Sequence, residues 1–129
     1  MISDFTEKEM SDLLYDKLSE IGDEVSLKTP TTESIFPCRT IQNPLMNINK
    51  TNDAIPLRKI FQISIEHWNE MQRECMDMAN KSDLKLRELN ILRTNTSPII
   101  FDEITKKYKL ICTYEVRYNA LTNSFEYIR

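Results

Sequence analysis

Residues 108–118 alternate without a break, with Tyr108, Leu110, Cys112, Tyr114, Val116 and Tyr118 on one side and Lys109, Ile111, Thr113, Glu115 and Arg117 on the other. A side-chain period of two belongs to an extended strand with one face buried, so the chain must build a sheet around this segment. Asn119–Asn123 carries turn chemistry, and Ser124–Ile128 reads as the returning partner strand. Phe61, Ile63 and Ile65 against Gln62, Ser64 and Glu66 mark a second alternating strand, beginning near Leu57. Two shorter β runs join them. Ser34–Gln42 holds Ile35, Phe36, Cys38, Thr40 and Ile41, with Pro37 inside it favouring an edge or a bulge. Ile99–Phe101 follows Pro98, and Thr105–Lys107 turns the chain into the long strand.

Two stretches change period. Thr6 and Glu9 form a capping box, Phe5 and Met10 suit a hydrophobic staple, and Met10, Leu13, Leu14, Leu18 and Ile21 share one stripe. These predict a helix over residues 7–21, closed by Gly22 in the left-handed region. Asn69 reads as the cap of a second helix over residues 69–89, with Met71, Cys75, Met78, Ala79, Ser82, Leu86 and Leu89 on its buried stripe. Met76 falls outside that stripe and is expected to be partly exposed or at a subunit contact. Asp23–Glu33 reads as a loop. Residues 43–56, with four asparagines and two prolines, read as a long surface loop, a kind of segment usually functional or ordered by a partner. The expected fold is a single α+β domain over residues 1–129, a mostly antiparallel sheet of about four to five strands packed by two amphipathic helices.

Composition removes many chemistries. The only glycine is Gly22, which excludes phosphate-cradling loops built on glycine pairs or triplets. His67 is the single histidine, so no site needing two imidazoles is available. A net charge of −3 argues against a free nucleic-acid backbone as the main partner. Cys38, Cys75 and Cys112 are odd in number and unpaired in spacing, so reduced thiols are expected. The start of the chain carries no signal-peptide pattern, and no uncharged apolar run approaches the roughly 20 residues of a membrane span.

Cys38, His67, Cys75 and Cys112 are zinc-ligand types, but none is closely paired, and buried core thiols fit the spacing better. Cys75 served by His67 lacks an orienting third group in the sequence, so no catalytic residue is assigned. Tyr108, Tyr114, Tyr118 and Tyr127 read as a packed row across the final hairpin. Lys106, Lys107 and Lys109 cluster at a predicted hairpin tip, which reads first as a solvated turn, although copies arranged around an axis would turn such tips into a positive belt.

The order of these elements, with Phe36-Pro37-Cys38-Arg39, Lys59-Ile60-Phe61-Gln62-Ile63-Ser64-Ile65 and Tyr114-Glu115-Val116-Arg117-Tyr118-Asn119 as its strands, resembles the tail terminator proteins of long-tailed bacteriophages, also called tail completion or tail-to-head joining proteins. The resemblance covers nearly the whole chain and is one of layout. It implies a virion structural protein rather than an enzyme, with no cofactor and no catalytic residues. It further implies assembly in the host cytoplasm into a homohexameric ring, which caps the tail tube, ends tube polymerisation and meets the head connector or neck protein. DNA would pass through the lumen without sequence-specific contact, and no membrane would be involved. Contacts are expected from Asn43, Leu45, Met46, Asn47, Ile48, Asn49, Lys50, Asn52 and Asp53 in the long loop and from Lys106 and Lys107. A head completion or neck ring protein and a small cytosolic peptide-binding adaptor are the alternatives.

Overall fold

A computed structural model describes residues 5–48 and 58–127. The element order is α1 (Glu7–Ser19), β1 (Glu24–Ser26), β2 (Cys38–Ile41), β3 (Leu45–Ile48), β4 (Arg58–Asn69), α2 (Gln72–Arg87), β5 (Leu92–Thr96), β6 (Ile100–Asp102), β7 (Lys107–Asn119) and β8 (Ser124–Glu126). The fold is α+β, with two helices on a large, mostly antiparallel sheet. That sheet has eight strands rather than the expected four to five. The extra strands arise where short pieces succeed one another along a long neighbour. β2 and β3 both run antiparallel to β4, separated by Gln42–Pro44; the Gln42 amide still bonds the Ser64 carbonyl, and Pro44 has no amide to give. β5, β6 and β8 likewise all border β7.

The β4–β7 pair is the spine, in register from Arg58↔Asn119 to Asn69↔Tyr108. Side chains at the odd positions of β4 and the even positions of β7 meet the helices, so Phe61, Ile63, Ile65, Cys112, Tyr114, Val116 and Tyr118 are buried beneath Met10, Leu14, Leu18, Cys75, Ala79 and Leu86. The Thr6 hydroxyl accepts the Glu9 amide, as the capping box requires, and Phe5 packs on Phe61, Tyr118 and Phe125. Gly22 takes φ +110° just after α1, the left-handed conformation its position called for.

Several expectations are corrected. α1 ends at Ser19, not residue 21, and Asp23–Glu33 is not all loop, since Glu24–Ser26 pairs in parallel with β2. Only Cys38–Ile41 of the run Ser34–Gln42 forms a strand, and it lies inside the sheet between β1 and β4. Pro37 precedes the first paired residue, so its missing N–H costs the ladder nothing. Within residues 43–56, Leu45–Ile48 is strand rather than loop, and Asn49, Lys50, Asn52 and Asp53 lie outside the described residues. Asn69 ends β4 instead of capping α2; its side-chain oxygen accepts the Met71 amide at 3.1 Å. Met71, expected in the core, is 60% exposed, while Met76 is exposed as expected. Of the four tyrosines, Tyr114 and Tyr118 are buried, Tyr108 is half-buried and Tyr127 is exposed beyond β8.

Candidate interface

The residues with catalytic chemistry converge inside the core. Arg39 on β2 is fully buried; its Nε donates to Ser82 Oγ at 2.7 Å, Nη2 to the Met78 carbonyl at 2.9 Å and Nη1 to Asp23 at 2.8 Å. His67 Nε2 lies 2.8 Å from the same Ser82 oxygen, and Nδ1 lies 3.1 Å from the Leu110 carbonyl. A carbonyl only accepts, so Nδ1 carries the proton. With the buried imidazole held neutral, Nε2 is an acceptor, so the Ser82 hydroxyl, while accepting from Arg39, donates to Nε2. Burial, reinforced by the Arg39 charge, holds the His67 pKa down to about 3. This chain of bonds ties β2, β4, α2 and β7 together, and Arg39, His67 and Ser82 are all sealed from solvent.

The thiols are equally enclosed. Cys38 is pushed up to about 12 by burial and by the carboxylates of Glu24 and Glu66; Cys75 and Cys112 are also raised by burial. Cys75 Sγ faces the Tyr108 carbonyl at 3.6 Å, and both His67 nitrogens are engaged elsewhere, so the pairing of Cys75 with His67 does not form. Among the described residues, no three His, Cys, Asp or Glu side chains cluster as a metal site. No described helix is long and apolar enough to cross a membrane.

The expected contact residues fall into two separate regions. Leu45–Ile48 makes up β3, which pairs with β4 and with no other strand among the described residues. Leu45 is 61% exposed there and Asn43 is exposed, while Met46 is half-buried against the core. Lys106 and Lys107 belong to the β6–β7 hairpin, with Lys106 in the left-handed region (φ 60°). Their charges are not bare: Lys106 faces Glu103 at 3.2 Å, and Lys107 faces Glu70 at 3.5 Å while lying over the Phe36 ring. The tip therefore carries balanced pairs rather than a net positive charge.

What marks the hairpin end is apolar surface that the sequence patterns did not single out. Ile104 is 75% exposed at the tip, Ile100 and Phe101 are exposed on β6, and Met71 is exposed at the β4–α2 corner. Ile35 is 69% exposed beside Phe36, whose ring approaches Trp68. Phe101 packs on Tyr108, the cross-strand partner of Asn69 at the foot of the spine. β4 runs 12 residues, so this end lies roughly 40 Å from the end where Arg58 meets Asn119. Ile48 pairs with Lys59, which puts the exit of β3 near that opposite end. Compared with known protein families and with curated proteins, the chain matches no family model and no curated sequence.

Proposed function

We propose that this chain is a ring-forming structural protein of a bacteriophage tail, which closes the head-proximal end of the tail tube and joins it to the head connector. The observation that supports this most is the separation of two contact-ready regions along one stiff strand pair. One is β3, which has no strand partner but β4 among the described residues and carries exposed Leu45; the other is the hairpin end with Ile35, Met71, Ile100, Phe101 and Ile104 exposed. A protein that stops one polymer and receives a different partner needs two unlike surfaces facing apart. A ring also needs heterologous contacts between copies, for which a strand at the border of the described sheet is suited.

In this reading six copies surround a lumen through which DNA passes without base contacts, and the protein resides in the virion tail after assembly in the host cytoplasm. It acts by contact, not as an enzyme. The test is electron microscopy of the purified protein alone and mixed with tail tubes, alongside light scattering. Closed rings, or tubes of fixed length bearing an extra terminal disc, are the expected result. A protein that stays monomeric and leaves tubes unaltered refutes the reading. Co-purification with portal or adaptor proteins instead of tubes would assign the ring to the neck.

A further inference from the structure

β4 is paired with β7 along its whole length, so β3 meets β4 from the other side, and β5 meets β7 from the side away from β4. The row β3-β4-β7-β5 therefore begins and ends on opposite borders of the sheet, and neither end strand pairs with a further strand among the described residues. Every neighbouring pair in the row is antiparallel, so β3 and β5 run in opposite directions. Leu45 faces Gln62, Gln62 faces Glu115 and Glu115 faces Leu92. Leu45 and Leu92 thus stand at the two ends of one line of side chains, on the sheet face away from the helices. Border strands ordinarily carry a charge, a proline or a bulge that discourages pairing with another chain. β3, Leu45-Met46-Asn47-Ile48, has no charge and no proline. β5 has one bulge, between Arg93 and Asn95, and one charge, Arg93, already tied to Asp83 on α2. In a chain of net charge −3, these two borders are where identical copies can meet without like charges opposed.

We propose that copies of this chain join side by side, the β3 border of one against the β5 border of the next. Rotation about an axis running along the strands preserves strand direction and sheet face. The β3 of an incoming copy therefore arrives antiparallel to β5, with its Leu45 on the same face as Leu92. Four alternating strands per copy make this work, since an odd number would bring like directions together. Exposed Met76 lines a cavity of about 400 Å³ beside β5 with Pro98 and Ile99, apolar surface next to the incoming strand. The contact is heterologous, each copy using one border and offering the other, and such contacts close into a ring when the rotation closes. A β3-to-β3 contact would stop at a dimer. The seam so defined belongs to the proposed ring and rests on that reading.

The test uses two full-length variants, Leu45→Asp on the β3 border and Asn95→Asp on the β5 border, both at exposed side chains. Light scattering is read for the natural chain, for each variant and for their equimolar mixture. The natural chain should form closed oligomers, and each variant alone should lose every species above the monomer. The mixture should give a dimer and nothing larger, because one intact β3 border then meets one intact β5 border. Oligomers of natural size from either variant, or a mixture that stays monomeric, overturn the seam and leave the ring standing. A natural chain that stays monomeric at every concentration and on tail tubes overturns both. Should a variant fail to fold, Leu45→Cys/Asn95→Cys decides, the native cysteines being buried. The linker is a bis-maleimide shorter than the three strand spacings, roughly 14 Å, between the two positions within one copy. A ladder of linked copies is expected, and assembled rings that do not link overturn the seam.

Discussion

Replacing Ser82 with Ala removes a single oxygen from the centre of the buried polar chain. That oxygen accepts from Arg39 Nε at 2.7 Å and donates to His67 Nε2 at 2.8 Å, and the site is 0% exposed, so water does not take its place. The substitution leaves a charged donor short of one partner, worth about 1.5–3 kcal/mol, and a neutral imidazole acceptor short of another, worth about 1 kcal/mol. Arg39 keeps its bonds to Asp23 and Met78, so the loss is partial, and about 3 kcal/mol is expected in total. The assay is urea unfolding followed by the fluorescence of Trp68, the only tryptophan. The midpoint should fall with the slope unchanged. Adding His67→Leu to Ser82→Ala should cost less than the two single changes summed, because they break the same bond. A loss under about 1 kcal/mol for Ser82→Ala, or strict additivity, would show that the chain of bonds does not hold the helix to the sheet as argued.

Other perturbations test other parts. His67 titrates near 3 when folded and near 6.5 when unfolded, so its contribution is fully present above pH 6.5 and is lost as pH falls toward 3. The slope of stability against pH should approach 1.4 kcal/mol per unit in that window and flatten in His67→Leu; equal slopes in both proteins would contradict the buried neutral imidazole. Ile63→Asp puts a carboxylate at a fully buried position facing the helices and should abolish cooperative melting, so an unchanged transition would refute that facing. Leu45→Asp, on an exposed side chain, should leave stability within about 0.5 kcal/mol while preventing ring assembly, and rings of normal appearance would remove β3 from the seam. Ile104→Glu should likewise keep the fold and abolish attachment at the hairpin end, as read by co-sedimentation with partner assemblies.

The elements with a sustained period were legible from residues alone. The alternation over residues 108–118 and at Phe61–Ile65 is the β4–β7 spine, and the stripes Met10–Leu14–Leu18 and Cys75–Ala79–Leu86 are the buried faces of the two helices. A side chain's face depends only on local geometry, so periodicity carries that information. The short border strands were not legible. Val25 lies between Glu24 and Ser26, and Ile91-Leu92 runs straight into Arg93-Thr94-Asn95-Thr96, so neither stretch carries a strand period; β1 and β5 form on a neighbouring strand located far away in sequence. Met71 matched the helical stripe but lies just before α2, where the chain leaves β4 and the stripe no longer applies.

The candidate site divides in the same way. Residue types and loop composition pointed to Leu45 and to the hairpin lysines, but pairing of Lys106 with Glu103 and of Lys107 with Glu70 is a tertiary outcome that cancels their charge. The sequence by itself determined the core-facing sides of β4, β7 and the two helices, because hydrophobic period is a local property. Only the tertiary structure decided that Arg39, His67 and Ser82 share one sealed chain of bonds and that Leu45 and Leu92 end one line of side chains at opposite borders. Both results depend on register, and register is set by the whole sheet packing at once.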